Sequence, residues 1–181
     1  MRALKFALAI VPILITVLAF TATVVAANHD NGVHRIEDVR AATAPFQSLS
    51  VAIAHQYGIL KDKVGIACID NPGVGAMGVH YVNGDLVGTT DVDPRHPEAL
   101  VYEPGSDGQL RLVAVEYVTF QAQWDAVHKS RPKLFGQTFM LTPDGNRFGL
   151  PAFYSLHAWI WKNNPDGTFA MWNPTVHCPS A

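Results

Sequence analysis

The sequence predicts an α+β fold, in which an N-terminal helix packs on a mostly antiparallel β-sheet that is either open or curled into a small barrel. Two observations favour this fold class. An alanine-rich stretch with apolar residues at helical spacing ends at Gly58, and the chain beyond it alternates short β-type runs with glycine-containing turns. Short strands joined by tight turns pair antiparallel. The length of 181 residues, with 49% hydrophobic and 15% charged, suits one compact domain.

The first segment of the chain has the pattern of an export signal. Arg2 and Lys5 precede an uncharged run, 6–27, that ends in small residues. We therefore expect a signal peptide over 1–27 and a single secreted or periplasmic α+β domain over 28–181. An uncleaved membrane anchor is the alternative, because 22 uncharged residues can just span a bilayer. No later segment is apolar for long enough, so no stable membrane span is expected after cleavage.

The elements of the mature domain follow in order along the chain. A helix is predicted over 35–57, started or interrupted by Pro45 and stopped by Gly58. The polar stretch 85–97 is predicted as a loop, and 121–131 as a short helical excursion. Strands are predicted at 64–69, 76–82, 98–103, 109–120, 133–141, 152–161 and 168–172.

Charge and cysteine content narrow the functional classes. Without Arg2 and Lys5 the chain has 11 basic against 15 acidic residues, a formal charge of −4, which argues against nucleic acid as a partner. The two cysteines, Cys68 and Cys178, both lie in the exported part, where disulfides persist. We predict that they pair, and two separate buried thiols are the alternative. Neither a CxxC motif nor paired Cys/His spacing indicates a structural zinc site.

His157 lies in an apolar predicted strand. Alternation places Phe153, Ser155, His157, Trp159 and Trp161 on one face and Tyr154, Leu156, Ala158 and Ile160 on the other. Both faces are largely apolar, so we expect His157 to be buried, neutral and in need of a polar partner. A backbone carbonyl would satisfy the ring without any function, whereas a metal ion or a catalytic role would require further polar residues.

Three more polar residues interrupt apolar strands. His80 lies within 76–82, Glu103 ends 98–103 and Glu116 interrupts 109–120. If the intervening turn pairs Glu103 with Leu110, both carboxylates point to one apolar side. His80, Glu103, Glu116 and His157 would then form the ligand set of one divalent metal ion, such as iron, manganese, zinc or copper. The alternatives are an arginine salt bridge for Glu116, to Arg111 or Arg147, and simple exposure for Glu103.

Several sequence blocks carry a family resemblance. They are MGVHYVN, EALVYE, LVAVEY, LFGQTF and LHAWIWKNNPDGTFAMWNP, and the HxWxW…NPxGxFxxWNP pattern is the most specific. The chain resembles a family of small exported bacterial proteins that is uncharacterised, which implies secretion and no particular activity. His80, Glu116 and His157 also give a looser similarity to cupins. Position 82 departs from the cupin pattern because Val82 stands where a second histidine is expected, so cupin activity is not carried over.

The sequence leaves two candidate functions. The first is a secreted protein that binds a metal ion or a small ligand through a buried His/Glu cluster. The alternative is a non-catalytic extracellular or envelope module in which Trp159, Trp161 and Trp172 offer an aromatic surface to a partner or carbohydrate. No GxSxG or phosphate-loop motif assigns a catalytic residue. Tryptophans buried around a histidine pocket favour the first function, and tryptophans on an open surface favour the second.

Overall fold

The computed structural model describes residues 32–179, so the predicted signal peptide over 1–27 lies outside the described residues. The helices are α1 (Gly32–Thr43), α2 (Leu49–Ala54), α3 (Gly84–Val87) and α4 (Gln121–Val127), and a 3-10 turn spans Ala44–Gln47. The strands are β1 (Gly58–Ile59), β2 (Cys68–Asn71), β3 (Gly75–Val82), β4 (Ala99–Pro104), β5 (Leu110–Phe120), β6 (Lys133–Leu134), β7 (Gln137–Thr138), β8 (Met140–Thr142) and β9 (Phe153–Ala158). No helix between residues 32 and 179 is long and apolar enough to cross a membrane.

Seven strands form one antiparallel sheet. Its order is β1-β3-β4-β5-β9-β8, and β2 also pairs with β3, while β6 and β7 form a separate hairpin. The mixed helical and mostly antiparallel class is therefore confirmed. Within the described chain, β8 and the β1/β2 side do not pair with each other, so the sheet stays open and the small barrel is not formed. With β8 only three residues long, few backbone groups at that edge are available for closure.

The N-terminal helix is shorter and more broken than 35–57. Pro45 lies in the 3-10 turn between α1 and α2, where it has no backbone N–H to donate to a continuous helix. Ser48 then adopts an extended conformation before α2 begins. Val39 of α1 and Ala52 of α2 are both fully buried in the same hydrophobic cluster as the sheet tyrosines.

Three predicted strands need correction. The run 64–69 becomes strand only from Cys68 onward. The run 133–141 is split because Phe135 and Gly136 both take positive φ, which turns the chain into the β6–β7 hairpin. The run 168–172 forms no strand, since it folds into turns in which the Thr168 carbonyl accepts the Trp159 backbone N–H. The excursion at 121–131 does contain a helix, α4.

A β-bulge changes the assumed β4–β5 register. Val101 pairs with Ala114 but Tyr102 pairs with Leu112, so Val113 is an extra residue on β5. Glu103 consequently pairs with Arg111 and not with Leu110, which corrects the predicted turn. Beyond the bulge, Ala99 pairs with Glu116. The predicted placement of Ala114 and Glu116 with Ala99 and Val101 therefore holds, whereas Leu112 packs with Tyr102 in the opposite core.

The sheet has two chemically different faces. The helix-side face packs Val39 and Ala52 against a buried cluster that includes Tyr81, Leu100, Tyr102, Val115, Tyr117, Tyr154 and Leu156. The opposite face, here called the cavity-side face, carries His80, Glu116 and His157, and a second cluster of Ala76, Val101, Val113, Ala114, Trp159 and Val176 packs beside Cys178. The predicted Cys68–Cys178 disulfide is present and ties the C-terminal segment to β2.

Candidate metal centre

Three strands bring His80, Glu116 and His157 to one place on the cavity-side face. Glu116 on β5 lies directly opposite His157 on β9, and His80 on β3 pairs with Val101 on the intervening β4. Ala99 stands between them on β4, paired with Glu116. Because Ala99 offers only a methyl group, it leaves room for the longer side chains to meet above the sheet.

The distances between the polar atoms define a small triangle. His80 Nε2 lies 3.3 Å from His157 Nε2. Glu116 Oε2 lies 3.4 Å from His80 Nε2 and 3.6 Å from His157 Nε2. Three ligand atoms bound tetrahedrally at about 2.0 to 2.1 Å lie about 3.3 to 3.4 Å apart. This group can therefore hold a metal ion.

The second ring nitrogen of each histidine, Nδ1, lacks a hydrogen-bond acceptor in the described chain. Within residues 32–179, Nδ1 of His80 and Nδ1 of His157 are both buried without a hydrogen-bond partner. Metal-bound histidines usually donate the second N–H to an acceptor, which strengthens binding. The affinity expected here is lower than that of a site with both acceptors in place.

Burial controls the charges of the cluster. It lowers the pKa of His157 to about 4, and it likewise lowers that of His80 to about 4 against the opposing effect of the Glu116 charge. Burial raises the pKa of Glu116, while the charge of His80 and a contact with the Ser155 hydroxyl lower it. Near neutral pH both imidazoles are therefore neutral, which is the protonation state that binds metal.

Glu103, the fourth predicted ligand, lies apart from this group. Its carboxylate accepts hydrogen bonds from Lys162 Nζ at 2.8 and 2.9 Å, and it is absent from the ligand triangle. The arginines considered as partners of Glu116 are also engaged elsewhere. Arg111 pairs with Asp107, and Arg147 pairs with Asp62. Among the described residues, Glu116 therefore contacts the two histidines and Ser155.

The predicted aromatic surface is not open. Trp159 is 4% exposed, its ring lies 5.7 Å from that of His157, and its indole N–H donates to Ala170. Because β9 ends at Ala158, Trp161 leaves the predicted alternation and donates to the Thr43 hydroxyl on the helix side. Trp159 and Trp161 also line a cavity of about 550 Å³. Only Trp159 adjoins the buried histidine, because Trp161 contacts Thr43 on the helix side.

A large cavity opens onto the cluster. Its volume is about 590 Å³, within the range of small-molecule sites, and His80 and Glu116 lie in its wall. Most of the other wall residues are apolar: Leu60, Ile69, Met77, Val82, Val87, Ala99, Val118, Phe120, Phe148, Leu150, Phe153, Met171 and Trp172. Sequence patterns did not predict this cavity, because its wall is assembled from segments far apart in the chain.

Sequence reasoning also missed the acidic residue Glu98. It is 2% exposed, and its carboxylate accepts the Val118 N–H at 3.0 Å beside the first residue of β4. Burial, with a smaller contribution from the Glu116 charge, raises the pKa of Glu98 to about 8. Its position at the start of an apolar run gave no signal, since such residues are ordinarily exposed.

No family model matches the chain, and neither a curated protein nor a solved structure matches it.

Proposed function

We propose that the protein binds one divalent metal ion through Nε2 of His80, Nε2 of His157 and the carboxylate of Glu116. The observation that carries this proposal is the triangle with sides of 3.3, 3.4 and 3.6 Å. Two imidazoles and one carboxylate with an open position form a common ligand set for zinc and non-haem iron. The site lies in a disulfide-bonded domain, so we infer that the ion is bound outside the cytoplasm.

The distance of 3.3 Å between the two Nε2 atoms is compatible with a hydrogen bond, but a purely structural cluster accounts less well for the two distances to Glu116. Hydrogen bonds between nitrogen and oxygen cluster near 2.9 to 3.0 Å, whereas both histidine-to-Glu116 distances are 3.4 Å or longer. The three potential ligand atoms nevertheless all lie within 4.8 Å of one another. A shared cation explains both features, because each group then bonds to the ion and the ligand atoms stay apart.

Iron, manganese, zinc and copper all accept imidazole and carboxylate ligands, so the metal analysis must distinguish them. Zinc serves as the test ion because it does not change oxidation state.

Metal content tests the proposal directly. Purified mature protein is stripped with a chelator, dialysed against zinc and then analysed by mass spectrometry of the elements. We expect close to one equivalent in the wild type and less than a tenth of an equivalent in His157→Ala, because two remaining ligands hold zinc poorly. Circular dichroism and an intact Cys68–Cys178 bond verify that the variant folds.

His177→Ala is the matched control, since His177 is an exposed histidine outside the cluster. It should retain the full equivalent. Wild-type protein that takes up none of the candidate ions, or equal metal content in His157→Ala and His177→Ala, would reject the proposed site.

A further inference from the structure

We propose that the cavity beside the metal centre binds a small, mostly apolar molecule that carries a single carboxylate, with one carboxylate oxygen completing the coordination of the ion. This inference rests on the proposed metal site and adds the chemical class of its ligand. It follows from the wall of the cavity, from the charge of the metal centre and from the pairing of the remaining polar residues.

The wall determines the body of the ligand. A volume of about 590 Å³ corresponds to roughly twenty water-sized groups, and apolar side chains from β3, β5, β9 and the loop before β9 dominate the surface. Burying apolar surface against such a wall contributes roughly 25 cal/mol per Å². A polar or heavily hydroxylated body would lose its hydration in this cavity without finding partners.

The polar residues of the wall determine where the head of the ligand lies. Asn146 already bonds to the Pro143 and Leu150 carbonyls, and Arg147 is paired with Asp62. The wall also contains Asp70, Asn71, Thr142 and Ser155, of which Ser155 contacts Glu116. In the cluster, Glu116 Oε2 lies 3.4 Å or more from both histidine Nε2 atoms, and His80 and Glu116 lie in the cavity wall. The cluster is therefore where a polar head fits best, and the rest of the ligand occupies mostly apolar space.

Charge determines the kind of head. Two neutral imidazoles and one carboxylate leave a divalent ion with one uncompensated positive charge in a mostly apolar site. An anionic oxygen at the open position neutralises that charge, and the attraction is strong because the surroundings have a low dielectric constant. A neutral alcohol of the same length lacks this interaction. In the absence of metal, Glu116 would oppose a carboxylate, so metal and ligand should bind together.

Decanoate and decanol are suitable probes because they share a chain length and differ in the head. Below their aggregation concentrations, each is titrated into zinc-loaded and metal-free protein by calorimetry. We expect decanoate to bind zinc-loaded protein at least tenfold more tightly than decanol does, and at least tenfold more tightly than it binds metal-free protein. With cobalt in place of zinc, decanoate should change the visible absorption of the ion, which decanol should not do.

Two Val→Phe variants locate the binding. Val118 lines the cavity, so Val118→Phe should abolish decanoate binding while one equivalent of zinc is retained. Val127 is 65% exposed and lies outside the cavity wall, so Val127→Phe should keep both. If Val118→Phe fails to fold, Leu150→Trp on the loop between β8 and β9 provides the same obstruction.

The outcomes separate this inference from the proposed function. Zinc bound at one equivalent together with decanoate no tighter than decanol would overturn the ligand class and leave the metal site intact. Decanoate binding that persists unchanged in folded Val118→Phe and Leu150→Trp would overturn the cavity as its location. Absence of metal binding in the wild type would remove the metal site itself and the inference with it.

Discussion

The two faces of the central sheet differ in how completely their buried polar atoms are paired. On the helix-side face, Tyr102 is fully buried and its hydroxyl donates to the Phe46 carbonyl at 2.7 Å. On the cavity-side face, His80 and His157 are almost as deeply buried, yet neither Nδ1 atom has a partner in the described chain. Unpaired buried nitrogens cost stability. The difference teaches that the first face satisfies its buried polar atoms, whereas the second carries a cost that the proposed metal site would explain.

The two faces also differ in how densely their side chains are packed. Leu100 is fully buried in the helix-side cluster between residues of the neighbouring strands. Val118 faces the cavity and is only half-buried, so part of its surface has no packing partner. The cost of removing a side chain should therefore depend on the face from which it projects.

The largest expected effect is the loss of Leu100 from the packed face. Leu100→Ala should lower the free energy of unfolding by about 3 kcal/mol, from lost burial and the cavity left behind. Val118→Ala should lower it by less than about 1 kcal/mol, because its methyl groups already border empty space. Urea unfolding of both variants measures the difference, and equal losses would contradict the contrast between the faces.

The next effect concerns acid sensitivity of the cavity-side face. The folded-state pKa of His157 is about 4, below the ordinary value of 6.5, so folding favours the neutral ring. The neutral His157 ring therefore contributes to the free energy of unfolding above pH 6.5, and this contribution is lost as the pH falls toward 4. In metal-free protein this loss should reach up to about 3 kcal/mol. Urea midpoints measured between pH 7 and pH 4 follow it.

Two histidine variants isolate that contribution. His157→Leu should show a shallower loss of stability between pH 6.5 and 4 than the wild type, since one buried imidazole no longer titrates. Substitution of the exposed His177 by leucine should leave the wild-type slope. If His157→Leu is as acid-sensitive as the His177 variant, the buried histidine does not cause the loss of stability between pH 6.5 and 4.

The smallest effect separates the two carboxylates of the β4–β5 hairpin. Glu103 is paired with Lys162 in a partly exposed position, with 19% and 28% of their side chains accessible. Glu103→Gln should cost less than about 1 kcal/mol and leave the metal content unchanged. Glu116→Gln should remove most of the metal, because it replaces a charged ligand by a weak neutral one. Loss of metal in Glu103→Gln would place that carboxylate back in the site.

Local patterns were sufficient for much of the sheet. Strands β3, β4, β5 and β9 were predicted near their true bounds, because alternation and turn residues are properties of neighbouring positions. The disulfide was also predicted, from the expected export and a count of two cysteines. Patterns were misleading at 168–172, where apolar and aromatic residues resemble a strand but fold into turns under tertiary packing.

For the candidate site too, residue types predicted some features and only the tertiary structure decided others. The residue types alone indicated that His80, Glu116 and His157 are out of place in apolar strands, because a buried polar group requires a partner. Glu103 satisfied the same criterion, but it lies four residues along β4 from Ala99, the partner of Glu116, and it pairs with Lys162. A shift of one residue in register is invisible to composition and spacing, since both registers satisfy the local pattern.

The sequence by itself determined the α+β class, the main strands, the disulfide and the three polar residues of the cluster, because each depends on residue type and near-neighbour spacing. Only the tertiary structure decided that the sheet stays open, that Glu103 lies apart and that a cavity of about 590 Å³ adjoins the cluster. Those features depend on how strands distant in the chain are ordered and aligned. Strand order and register arise from the packing of all elements together, which no single segment encodes.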